Sequence, residues 1–135
     1  MSKYISAEDN HMKYDTSDIV VSGTVYADGN PCILITGAED DAPVAKATIN
    51  IPYVTNIPVH EEGDQGVLIK DYSENEGVLK TLVNAGIVNP ILPIPLEVGD
   101  VITSSITIHF VHVIDESIVQ EIREASEKRK KRKAA

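Results

Sequence analysis

The chain has 135 residues, 42% hydrophobic and 24% charged, with a formal net charge of −9. That length supports one domain around one core. No apolar run nears the ~20 residues of a membrane span, and "MSKYISAEDNHMKYD" is charged throughout, so neither a spanning segment nor a signal peptide is expected and a cytoplasmic location is. Cys32 stands alone in "PCILIT", which excludes an intrachain disulfide and a cysteine-built zinc site and reads as a buried thiol.

The charge is unevenly placed. Residues 1–114 carry 16 acidic against 5 basic side chains, whereas residues 115–135 carry 5 against 7. An acidic body with a basic tail, "KRKKRK" at 128–133, presents two surfaces of opposite sign. With no Trp and a single Phe, the core must be aliphatic.

In chain order, residues 1–18 read as a loosely held N-terminal arm, 19–114 as an α+β domain, and 115–135 as a C-terminal helix with a basic tail. Alternation at Val21, Gly23, Val25 and at Ile33, Ile35 gives two strands joined by the turn "ADGNP". After a second turn, "GAEDDAP", a third strand puts Ala47, Ile49 and Ile51 on one face and Lys46, Thr48 and Asn50 on the other. A proline-bearing acidic loop leads to a short strand, "VLIK".

The next helix is expected to start at Ser73 as N-cap, with Glu76 completing a capping box. Its buried stripe is Val78, Leu79, Leu82 and Val83. Gly86 is its left-handed C′ residue, and Ile87 the hydrophobic partner of a Schellman motif. Prolines 90, 93 and 95 restrict the following segment to an extended edge. "VITSSITIHFVHVI" is a long strand. The last helix is capped by Asp115 or by Ser117 with Gln120, and its stripe of Ile118, Val119, Ile122 and Ala125 fades before the basic run. The expected fold class is therefore α+β: a twisted antiparallel sheet of about five strands, one packed helix and a C-terminal helix.

Little of this pattern is catalytic. His109 and His112, three apart in a strand, point to opposite faces and cannot share an ion; His11 and His60 stand in loops. The clusters "EDD" (39–41) and "EEGD" (61–64) lack the spaced ligands of a calcium loop and read as solvated turns, able to present a negative surface to a basic partner. There is no Gly-x-Ser-x-Gly, no phosphate loop and no Cys/His pair, so no catalytic residue, metal or cofactor is assigned and an enzyme is not expected. Two surfaces carry candidate contacts. Asp71, Tyr72, Ser73, Glu74 and Asn75 form a corner at a helix N-terminus, where free N–H groups favour an anion or a partner. Lys128, Arg129, Lys130, Lys131, Arg132 and Lys133 have the density of a nucleic-acid contact, against the plainer reading of a frayed, solubilising helix end.

From about Val25 to Ile108 the chain resembles a family of small uncharacterised proteins encoded by phages, plasmids and integrated mobile elements. "YADGNPCILI", "APVAKATINIP" and above all "IKDYSENEGVLKTLVNAGIV" carry the resemblance, with Asp71-Tyr72-Ser73-Glu74-Asn75-Glu76-Gly77 its most specific run. "VGDVITSSITI" fits less well, and residues 115–135 lie outside it. The resemblance implies a compact α+β domain with a mobile-element accessory role and brings no catalytic residues. The leading functional expectation is a binding protein whose acidic body engages a host protein, in counter-defence for example. A nucleic-acid-associated or virion component using the tail comes second, and a sponge for a small anionic nucleotide third. The terminal stripe leaves a homo-oligomer open.

Overall fold

Antiparallel strands run through the chain from its third residue, in the order β1 Lys3–Ile5, β2 Ile19–Val25, β3 Pro31–Gly37, β4 Pro43–Lys46, β5 Gln65–Lys70, α1 Val78–Asn84, β6 Ile94–Val98, β7 Ile106–Val113 and α2 Glu116–Ala134. The computed structural model describes residues 2–50, 57–89, 94–98 and 106–134; for 94–98, 106–109 and 133–134 it is the backbone that is described. Ile51, Pro90, Pro93 and the first five residues of the expected long strand lie outside the described residues.

The class is α+β, as the pattern predicts, but the strands divide into two sheets, β1-β2-β3-β4 and β5-β7-β6. They are stitched together just past β4. There Ala47 donates to Ile33 O at 2.9 Å, Lys70 donates to Ala47 O at 2.9 Å, and Ile49 donates to Leu68 O at 3.0 Å. Thr48, which alternation alone places on the wet face, is buried at this seam. Its hydroxyl oxygen accepts the Ile33 N–H at 3.2 Å and lies 2.8 Å from the Tyr26 hydroxyl. Burial raises the Tyr26 pKa and likewise raises that of the buried Cys32 thiol.

The core is one aliphatic cluster. Ile19, Val21, Ile33 and Ile35 of the first sheet meet Val67, Ile69, Val111 and Val113 of the second, with Val78 and Leu82 from α1 and Ile118 and Ile122 from α2. Each such side chain contributes about 1.5–3 kcal/mol when fully buried. An exposed ion pair contributes about 0–1 kcal/mol, so burial holds α2 on the sheet.

The first eighteen residues correct the expectation of a loose arm. β1 pairs with β2 in the register Lys3↔Val21 to Ile5↔Ile19, and Ile5 and Met12 are buried in the core. The intervening polar residues hide this role: the Asn10 amide donates to Asp15 O and Ser17 O, folding the loop on itself. His11 N–H donates to the Thr81 hydroxyl at 2.8 Å, which docks the loop on α1.

At α1 the Schellman motif is present, with Gly86 at φ +73, Gly86 N donating to Val83 O and Ile87 N to Leu82 O, both at 3.0 Å. At α2 the cap is Asp115, whose Oδ1 accepts the Ile118 N–H at 3.2 Å and the Ser117 hydroxyl at 2.5 Å. Burial opposes the Asp115 charge, but these donors and the Lys3 ammonium outweigh it and hold the carboxyl below its usual range. A lowered folded-state pKa stabilises above the unfolded value and ceases to do so as pH falls through the folded one. Asp115→Ala is therefore expected to cost about 1 kcal/mol at neutral pH. Urea midpoints should show that difference shrinking as the pH drops below about 3.9.

Candidate functional site

The 70–77 corner is held by its neighbours. Ser73–Asn75 form a 3-10 turn, and the helix proper starts after Gly77, so Ser73 is not the cap and no Ser73–Glu76 box forms. The cap is Asp71: its Oδ1 accepts the N–H of both Gly77 and Leu79 at 3.1 Å. Glu74 turns back to Lys70 at 2.6 Å. That hydrogen-bonded ammonium is the main cause holding the Glu74 carboxyl down to about 2, a value unsuited to proton donation near neutral pH. Glu76 pairs instead with Lys13 of the docked loop at 3.6 Å. The Tyr72 ring lies under the Lys70 ammonium at 5.3 Å from its centre.

Asn75 is buried, and its Nδ2 donates to Lys46 O at 2.6 Å, clamping the corner to β4. Asn75 Oδ1 has no hydrogen-bond partner among the described residues. Its companion amide bond already fixes the side chain. The corner is thus a structural joint between β5, α1, β4 and the N-terminal loop. Ser73 sits at φ +56, a left-handed conformation that penalises a Cβ. Ser73→Gly is expected to raise stability by about 0.5 kcal/mol, read as a higher melting temperature.

The basic run lies within α2, which extends to Ala134. The apolar stripe passes into Ser126, which is buried, and then Arg129, whose Nε donates to Ala27 O at 2.9 Å. Lys130 pairs with Glu127 at 3.6 Å. Lys128, Lys131 and Arg132 lie three and four residues apart, on one exposed face. Between α2 and the end of β2 is a groove of about 570 Å³, lined by Tyr26, Glu121, Glu124, Lys128, Arg129 and Arg132 among others. Nothing local in the sequence marks this groove, because it joins residues about a hundred positions apart.

The two acidic clusters separate. "EEGD" is held against α2 by Arg123, which donates to His60 O and Gly63 O at 2.7 Å each. Gln65, buried, donates to Pro58 O and accepts the His60 N–H. "EDD" lies at the end of the first sheet where the N-terminal loop also turns. Ala38 N–H donates to Asp18 O at 3.1 Å and Ala7 N–H to Asp18 Oδ1 at 2.6 Å, joining the two segments. Residues 6–18 and 38–42 together hold seven carboxylates and one lysine. Tyr4 is 58% exposed and Tyr14 is 65% exposed.

Among the described residues, no helix is long and apolar enough to cross a membrane. In comparisons with known proteins, no family model, no curated protein and no solved structure matches the chain.

Proposed function

We propose that this protein works by binding rather than by catalysis, as a phage or mobile-element accessory protein, and that it engages a basic surface of a host protein through the acidic end of its first sheet. The observation that carries this reading is the pairing of seven carboxylates on loops 6–18 and 38–42 with two exposed tyrosines, Tyr4 on β1 and Tyr14 on the N-terminal loop. Tyrosine supplies large contact area at low entropic cost and is enriched among interface hot spots. The surrounding carboxylates steer a cationic partner and disfavour an anionic one.

A second reading rests on the three aligned cations Lys128, Lys131 and Arg132, which fit a nucleic-acid backbone. Affinity capture from host lysate separates the two, with and without nuclease. The full chain, a version ending at Glu127 and a Tyr4→Ala/Asp40→Lys variant are compared. A stoichiometric protein that survives nuclease and truncation but is lost with the double variant supports the acidic-end reading. Recovery of nucleic acid alone, lost on truncation, overturns it in favour of the helix.

A further inference from the structure

Among the described residues, strand β2 keeps an edge that no other strand pairs along its full length. On the side away from β3, the three-residue strand β1 pairs with Ile19–Val21, and among the described residues no strand pairs with Ser22–Val25 there. Beyond that point the direction of the backbone groups follows from the ladder. Gly23 is paired with Ile33, yet Ile33 O accepts from Ala47 N and Ile33 N–H donates to the Thr48 hydroxyl. Ile33 therefore turns its backbone groups away from β2, and Gly23↔Ile33 is a non-hydrogen-bonded pair. The N–H and C=O of Gly23, and by the same alternation those of Val25, face the open edge. Val25 lies opposite Pro31, which has no N–H to offer in any case.

That edge opens into the groove of about 570 Å³ whose far wall is α2. The Gly23 N–H is met there at 3.3 Å by Glu121 Oε1, a carboxylate oxygen in the place a neighbouring strand's carbonyl would take. Ser2 steadies the same carboxylate from its hydroxyl at 3.3 Å. A charged side chain over an unpaired edge keeps the free protein from pairing at random.

We propose that this groove docks an extended, acidic segment of a partner protein, which adds as a strand along Gly23–Ala27 with α2 as its cover. The segment runs antiparallel to β2, as both present neighbours of β2 do. Its leading residues lie by the β2–β3 turn and are acidic, because Lys128 and Arg132 line that end with no ion-pair or hydrogen-bond partner among the described residues. Arg129, held on Ala27 O, adds a fixed positive charge there. Further along, a carbonyl of the segment replaces Glu121 on the Gly23 N–H. A nucleic acid fits this groove less well, since Glu121 and Glu124 in its wall repel phosphates. Strand addition of this kind draws affinity from main-chain hydrogen bonds and selectivity from flanking side chains. The groove is separate from the acidic loops and does not rest on their reading.

The test is a fluorescence-anisotropy titration of the full chain with the labelled hexapeptide Glu-Glu-Val-Thr-Val-Thr. Parallel titrations use the same peptide with alternate backbone nitrogens methylated, the peptide Lys-Lys-Val-Thr-Val-Thr, and a single-stranded oligonucleotide. The acidic peptide is expected to bind, with about a tenfold loss on methylation and a similar loss for the Lys128→Glu/Arg132→Glu variant, whose changes lie on exposed positions. Three results overturn the proposal: no binding below about 1 mM, equal binding of the methylated peptide, or tighter binding of the oligonucleotide.

Discussion

Gly77→Ala is expected to destabilise the native state by about 3 kcal/mol or more, lowering the melting temperature by roughly 10 °C. Two independent costs fall on one position. Gly77 sits at φ +97, where an L side chain is strained. A Cβ built there lies 2.1 Å from the His11 carbonyl oxygen and 2.9 Å from its carbon, which is backbone and cannot swing aside. The His11 segment is itself fixed, by its N–H on Thr81 and by the buried Met12 beside it. Relief would require undocking the N-terminal loop from α1. Thermal denaturation of the single variant decides the matter, and an unchanged midpoint would show that the loop does not pack as described.

Gly23→Val carries the second largest effect, about 2–3 kcal/mol, through overpacking rather than backbone strain. A Cβ at Gly23 meets the Ile118 carbonyl oxygen at 2.6 Å and Ile122 Cγ1 at 2.8 Å. Both isoleucines are completely buried, so α2 must lift from β2 to make room. Hydrogen exchange is the measurement of choice, because it reports each element separately. Amides of α2 should lose protection first, while β5 and β7 remain protected. Uniform weakening of every element would mean that α2 is no separable layer.

The turn "ADGNP", the alternation of β2 and β3, and the Gly86–Ile87 ending of α1 were legible because each depends on residues adjacent in sequence. The start of α1 was misleading for a physical reason. Ser73-Glu74-Asn75-Glu76 has the spacing of a capping box, but Lys70 and Lys13 draw off the two glutamates. Asp71, six residues before Gly77, then supplies the cap across a 3-10 turn. Asp71 and Asn75 belong to the corner that the motif singled out, though as its cap and clamp. The N-terminal segment was illegible since its two core residues, Ile5 of β1 and Met12 of the loop, are isolated among polar neighbours and follow no period. The seam at Thr48 and the groove beside α2 depend on contacts distant in sequence, such as Arg129 with Ala27. The basic run looked like a tail because its anchor, Arg129, is one cation among six.

The most direct test of binding through the acidic end is a hydrogen-exchange footprint of the protein with its captured host partner, compared with the free chain. Protection gained at residues 4–18 and 38–42, Tyr4 and Tyr14 included, is the predicted result. A footprint confined to 121–132, leaving both acidic loops exchanging as in the free protein, would contradict it and assign the contact to α2.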